Sequence, residues 1–416
     1  MNIALLSLIV FLVTVIVGIA TNVNCGLVAM ISSFVLVQFF IPEMSLADIY
    51  TDGWPSKIFY MMFAVTFLFG IAGANGTMEI IAKKCIRLLH GKSRLMPLFI
   101  FLLTFVLSAT GAGPGIAPMI MPIAMGICAE TGLSAFMMGV MIEAGAGAGG
   151  MSPIATNGII ARGFVEQIGA GADYMGMYIP YVIIMAAEAV AVYFWRGGYK
   201  AADVLTGEAD SADLEMNRYQ KLTTAVIAAV IFSVIVLKLD VAVVAAAGAA
   251  ILLIFGVMKD RQAILTVNWN TLMLVAGMFM LITIVDKCGG IDIISQFIMR
   301  FITPRTGTGI MALLSGLLAI VTSSSGVVMP TLIPVCGSIA GKMGGSVSAS
   351  LLAAGVCSGA NSAFYSPFSV LGSMTISLYP ETVDRDKIFI SHLKLTFISI
   401  AFTTILAFAG FMGLFI

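Results

Sequence analysis

Residues 108–158 read SATGAGPGIAPMIMPIAMGICAETGLSAFMMGVMIEAGAGAGGMSPIATNG, a glycine-rich interruption in a chain otherwise apolar enough to sit in lipid. The interruption returns at 322–372, as TSSSGVVMPTLIP followed by GANSAFYSPFSVLG. Pro118 and Pro122 answer Pro330 and Pro334, and Ser152-Pro153 answers Ser366-Pro367, at an offset of 212 to 214 residues. Inside a bilayer every backbone N–H and C=O needs a partner, so broken, glycine-rich segments survive only where they are buried in protein or line a watery cavity. Two matched interruptions therefore mark a site.

Composition agrees with lipid. Of 416 residues, 60% are hydrophobic and only 10% charged, with a mean hydropathy of +1.07. A soluble domain carries about 25% charged residues, so the chain reads as an all-α polytopic membrane protein. The balance of 21 basic and 21 acidic residues leaves no global field for nucleic acid. Six cysteines fall mostly in apolar runs without close pairs, as packing residues rather than a disulfide or metal framework. The opening run 1–20 has no basic start and no small-residue cleavage pattern, and reads as a retained span.

A membrane helix needs about 20 apolar residues, which places spans at 3–20, 26–41, 59–74 and 174–195, a hairpin at 98–130 and a broken span at 134–160. After a polar linker (201–221) the series returns as spans 222–237, 241–257, 272–285 and 388–415, a hairpin at 309–342 and a broken span at 347–375. The division is a first repeat 1–200, a cytoplasmic linker and a second repeat 222–416. Five spans and one hairpin per repeat is an odd count, so the second copy is expected to be inverted. GTMEIIAKKCIRLL from Gly76 also aligns with GGIDIISQFIMRFI from Gly289. Met78, Ile81, Cys85 and Leu88 form one helical stripe, as do Ile291, Ile294, Ile298 and Phe301, which predicts an interfacial arm helix in each repeat. The basic run Lys83, Lys84, Arg87, Lys92, Arg94, with Arg196, Lys200, Lys259, Arg261, Arg385, Lys387 and Lys394, belongs inside by the positive-inside rule. Both termini then face outward, for which a bacterial-type inner membrane is the natural setting.

The chemistry centres on the hairpin tips, Thr110-Gly111-Ala112-Gly113-Pro114-Gly115 and Thr322-Ser323-Ser324-Ser325-Gly326. Half-helices starting inside the membrane aim unpaired N–H groups at the cavity, a seat for an anion. Unwound carbonyls with the hydroxyls of Ser323, Ser324 and Ser325 suit a small cation. Gly145, Gly147, Gly149 and Gly150 either belong to such a site or only let helices approach closely.

These residues resemble the ion transporter superfamily, in particular its divalent anion:sodium symporter branch, and most of all carriers of the malonate/dicarboxylate type, over nearly the whole chain. The resemblance implies a sodium-coupled, elevator-type carrier of a C3–C4 dicarboxylate, working as a homodimer with no cofactor beyond the coupling ion. It places substrate on Gly111, Ala112, Gly113, Ser152, Pro153, Ser323, Ser324, Ser325, Ser366 and Pro367. Sodium falls on Thr110, Gly113, Gly147 and Gly149 in the first half and on Ser324, Ser325, Asn361 and Ser362 in the second. The family's Ser-Asn-Thr tip motif lands on Ala112-Gly113-Pro114 and Ser324-Ser325-Gly326, so both tips depart from it. The first keeps only backbone contacts, and the second keeps hydroxyls.

Charge inside the membrane is the other pointer to function. Glu143 is a candidate proton site, or a carboxylate at a cytoplasmic mouth or helix cap. Arg162 reads as an interface anchor or an anion clamp, Glu188 lies mid-span, and Asp286-Lys287 reads as an ion pair at an outer end. No Lys or Arg falls within either broken segment, so a bound cation would help hold the anion. The alternatives are a proton-coupled carrier of an aromatic or other organic acid, to which Phe364, Tyr365 and Phe368 would be suited, or an anion channel. An intramembrane protease lacks its inventory, since His90 and His392 fall in predicted loops and no HExxH occurs.

Overall fold

The computed structural model describes residues 2–21, 23–87, 92–201, 215–380 and 382–416. Leu88, His90 and most of the 201–221 linker lie outside the described residues. Those described form helices and no strand. The first series is α1 (Ile3–Thr21), α2 (Cys25–Phe40), α3 (Ser56–Ala74), α4 (Thr77–Arg87), α5 (Met96–Leu107), α6 (Ala117–Thr131), α7 (Ala135–Gly150), α8 (Thr156–Gln167) and α9 (Tyr174–Trp195). The second is α10 (Arg218–Ile235), α11 (Val241–Ile254), α12 (Trp269–Lys287), α13 (Gly290–Met299), α14 (Gly307–Ala319), α15 (Met329–Lys342), α16 (Ala349–Ser362), α17 (Val370–Ser377) and α18 (Arg385–Phe408). Short helices at Leu46–Asp48 and Asp260–Thr266 fill the same place in each series; both are too brief to show in the apolar pattern.

Six stretches among the described residues are long and apolar enough to cross a membrane unaided. One of them, Met96–Ala129, is a span by composition only, because the chain turns back within it. Thr104 lies against Gly145 and Ser108 against Gly149, so α5 runs alongside α7 in the same direction. Pro114 then meets Gly150, while Cys128 sits by Tyr379, which covers Gly139, so α6 returns antiparallel to α7. The reversal uses Gly111 (φ 126°) and Gly113 (φ 63°), conformations that L side chains rarely adopt.

The two series interlock reciprocally. Helix α2 packs on α12 and α11 on α3; α1 meets α13 and α10 meets α4; α8 meets α15 and α17 meets α6. Gly26 and Gly277 let α2 and α12 touch backbone to backbone, where any Cβ would collide with a main-chain oxygen. Helices α3 and α12 run in opposite directions, since Asp52 ahead of α3 bonds Lys287 at the end of α12, and Thr266 ahead of α12 touches Gly70 near the end of α3.

Arm helices α4 and α13 bury Met78 and Ala82, and Ile291 and Ile298. Phe301 leaves the expected stripe and is 60% exposed, because α13 ends at Met299 and the helical period stops there.

Candidate functional site: two chain breaks between hairpins

Both broken helices stop where the sequence breaks. Helix α7 ends at Gly150 and α8 restarts at Thr156; α16 ends at Ser362, and after one 3₁₀ turn (Ala363–Tyr365) α17 restarts at Val370. Each Ser-Pro serine ties its break to the first arm of its own hairpin. Ser152 Oγ donates to the Ala109 carbonyl at 2.6 Å, and Ser366 Oγ donates to the Ile320 carbonyl at 2.8 Å. A tip serine returns the link, Ser108 Oγ to the Ala146 carbonyl (2.8 Å) and Ser324 Oγ to the Ala360 carbonyl (2.7 Å). Carbonyls freed by the broken helices and arms thus find donors, as buried backbone requires.

The tips come together through α8. A Cβ on Gly113 would lie 3.4 Å from Thr156 Oγ1 at the start of α8, and the second tip also packs on α8. Gly111 lies on Phe69 of α3, and Gly326 on Leu274 of α12. The second break reaches the first broken helix directly, with Phe364 filling the space a side chain on Gly147 would need.

Local bonding separates the candidate ligands. Thr110 Oγ1 is turned onto its own helix, at the Leu107 carbonyl. Ser323 Oγ accepts from the Gly326 N–H as a helix cap, and Ser325 is half-buried. Ser362 Oγ bonds the Ser358 carbonyl and Thr403 Oγ1. Asn361 is fully buried; its Nδ2 donates to the Cys357 carbonyl while Oδ1 has no partner among the described residues. That oxygen is a spare acceptor at the end of α16, on the residue that follows Ala360, whose carbonyl Ser324 engages. In the first half, Gly147 and Gly149 bring backbone only, Gly149 being packed against the Phe105 carbonyl and Ser108. Pro153 and Pro367 each follow their tethering serine in the break.

The charged residues depart from the sequence reading at several points. His392 is not in a loop: it sits on α18, fully buried, with Nδ1 3.2 Å from Glu143 Oε2 and Nε2 3.1 Å from the Tyr379 hydroxyl. Glu143 therefore lies neither at a mouth nor at a helix cap. Glu188 is also buried, and accepts from Ser399 Oγ on both carboxylate oxygens at 2.8 and 2.9 Å. Lys287 pairs with Asp52 and not with Asp286, since Asp286, its chain neighbour, projects from another side of α12. Arg162 is occupied by Glu166, which also binds Lys57.

A cavity of about 660 Å³ opens between the ends of α8 and α12 and helices α13 and α15, lined by Gln167, Thr283, Asp52, Asp286, Asp292 and Lys342. Lys342 binds Asp292 and Lys287 binds Asp52, holding both carboxyls below the usual range. The sequence did not reveal this cavity, because its carboxylates come from segments far apart in the chain. His392 did leave a signal: His392, Thr396, Ser399 and Thr403 repeat at helical spacing in a run whose other residues are apolar except Lys394, and all four are fully buried.

The N-terminal family model of the dicarboxylate carrier protein MatC matches residues 1–150. Among solved structures, the fold is similar to that of the YdaH transporter of Alcanivorax borkumensis, described as having an unusual topology. The similarity has a TM-score of 0.60 at 13% identity and covers 89% of this chain and 88% of that one. No curated protein matches the chain by sequence. The chain is a polytopic membrane protein with a transporter fold, and it resembles the dicarboxylate-carrier type that the tip residues suggested.

Proposed function

We propose that the protein is a secondary carrier of a small dicarboxylate, coupled to sodium and working by alternating access between two inverted repeats. The observation that carries the reading is the pair of broken helices, each tied to its own hairpin by the same two serine-to-carbonyl bonds, with both hairpin tips packed on α8. Helices α8 and α17 restart at these breaks, and the N–H groups of a helix start that lack an intrahelical acceptor suit carboxylate oxygens. Asn361 Oδ1, the lone pairs of Ser324 and Ser325 and nearby carbonyls supply hard oxygens for sodium in the second half. The first half offers backbone alone, through Gly111, Ala112, Gly113, Gly147 and Gly149.

Reciprocal packing gives each movement in one half a counterpart in the other, as an elevator needs. The outward apolar faces of α1 and α2 meet lipid or the second copy of a homodimer. The basic residues about α4, α9 and the start of α18 face the cytoplasm, and both termini face outward, in a bacterial-type inner membrane.

The test is uptake of radiolabelled malonate and succinate into proteoliposomes, with and without an inward sodium gradient. Gradient-dependent uptake that falls about tenfold in Ser324→Ala and Asn361→Ala is expected, in keeping with about 1.5–3 kcal/mol for a contact to a charged group. Uptake indifferent to sodium would remove the coupling, and currents far above carrier turnover would replace the carrier with a channel.

A further inference from the structure

Glu143 and His392 lie inside the helix cluster, away from the bonds that tie hairpins to breaks. Both side chains are 0% exposed, and neither Glu143 oxygen finds a hydrogen-bond donor among the described residues. A bare carboxylate in such a place is very unfavourable, because water's solvation is lost with nothing in return. The Tyr379 hydroxyl meets His392 Nε2, which leaves Nδ1 to face the carboxylate. The pair carries no net charge only when it holds one proton beyond a bare carboxylate and a neutral imidazole.

Position places the pair between the helix starts and the breaks. Glu143 is the ninth residue of α7 and His392 the eighth of α18, so at 1.5 Å per residue both lie about 11–12 Å from those helix starts. Arg196 closes that end, its guanidinium 4.6 Å from the centre of the Phe136 ring, whose own centre is 5.1 Å from that of His392. Toward the breaks, Gly139, Glu143 and Gly147 share one face of α7, and Gly147 touches Phe364 and Tyr181. On α18 the buried polar row continues through Thr396 to Ser399, which holds Glu188, and to Thr403, which meets Ser362 beside Asn361. The ionisable groups around the pair are Tyr379 beyond α17, itself near Cys128 on α6 and Arg196, and Tyr365 beyond α16, which interacts with Glu143. Tyr365 also lies against Glu188.

We propose that Glu143 and His392 form a proton-binding site whose occupancy changes when substrate binds, so that the carrier moves a proton with its dicarboxylate. The proton passes between His392 Nδ1 and Glu143 Oε2 and enters or leaves by way of Tyr379. The first half, whose one tip hydroxyl (Thr110) is turned onto its own helix, thereby contributes its coupling charge as a proton from one turn below Gly147. This proposal rests on the carrier reading, and its test separates the two.

Purified protein in detergent, in weak buffer with a pH-sensitive dye and sodium present, is mixed with malonate or succinate. Wild type is expected to change its bound-proton count by on the order of one per substrate bound, as linkage requires when a ligand alters a group's proton affinity. Glu143→Gln is expected to reduce that change at least tenfold, while His392→Gln and Tyr379→Phe shift the pH at which it is largest. An unchanged proton count in monodisperse Glu143→Gln overturns the proposal. A second arm needs no substrate: infrared difference spectra between pH 5 and pH 9 are expected to contain a buried carboxyl band lost in Glu143→Gln and kept in Glu188→Gln. Absence of a titrating band that depends on Glu143 also overturns it. If neither dicarboxylate stabilises wild type thermally, the carrier reading fails and the infrared arm still decides the proton site.

Discussion

The two hairpins do the same job with different chemistry. The first turns on two glycines, Gly111 and Gly113, at positive φ, and Gly111 lies so close to Phe69 that a side chain has no room. The second turns without a positive φ, through an extended Ser323 whose hydroxyl caps the following turn. The glycine-rich and serine-rich tips are therefore two solutions to one reversal; the second places three serines in the turn, whereas the first keeps one hydroxyl, Thr110, bonded back to the Leu107 carbonyl. Tip hydroxyls are concentrated in the second half for this reason.

The sharpest way to break that comparison is to exchange the solutions. Gly111→Ala forces an unfavourable φ and a clash with Phe69, each worth about 1–3 kcal/mol, so the protein should melt far lower or fail to give a monodisperse peak. Ser323→Gly removes one cap and should cost only about a few tenths of a kcal/mol. Equal shifts in thermal melting would mean that the two tips do not differ as described.

A functional contrast comes next. Asn361→Ala removes the spare Oδ1 and should raise the sodium concentration for half-maximal uptake about tenfold, or about 1.4 kcal/mol. Its counterpart by offset is Gly147, where Gly147→Ala meets Phe364 and Tyr181. That variant should lower stability and maximal rate and leave the sodium requirement alone. A sodium shift in both variants would place a metal ligand in each half.

The tethering serines form a finer pair. Ser152→Ala deletes one bond, worth about 1 kcal/mol. Ser366→Ala deletes the bond to the Ile320 carbonyl and also an acceptor for the Phe368 N–H, so it should destabilise by roughly twice as much. Thermal melting of the single and double variants measures both, and distant sites should add.

Much of this arrangement was legible in the sequence because membrane burial makes irregular backbone conspicuous. Glycine, proline and serine stand out within apolar runs, and matched Ser-Pro pairs located both breaks. What stayed hidden depends on which face of a helix meets which neighbour. His392 lies just inside the start of α18, beside Arg385, Lys387 and Lys394, and that local polarity disguised a fully buried imidazole as a loop residue. Asp286 and Lys287 are adjacent in sequence, and adjacent residues on a helix point about 100° apart. Lys287 instead meets Asp52, 235 residues away. The partners of Ser152 and Ser366 were likewise unreadable, because backbone carbonyls carry no sequence signature.

The smallest expected effect tests whether the arm helices differ in the same sense as the tips. Glu79 and Asp292 occupy matching positions in GTMEII and GGIDII, but their partners diverge. Glu79 binds Lys83 one turn along its own helix, whereas Asp292 binds Lys342 and Ser338 and so joins α13 to the second hairpin. Lys342 and Ser338 hold the Asp292 carboxyl below its usual range. Its contribution is therefore present at pH values above the unfolded carboxylate pKa and lost as pH falls through the folded one. Because the pair is largely exposed, solvent limits it to a few tenths of a kcal/mol. Asp292→Asn should melt slightly below wild type at neutral pH and match it in acid, with Glu79→Gln nearly neutral at both. A larger loss in Glu79→Gln would show that the arm of the first half, and not of the second, is the one held to its hairpin by charge.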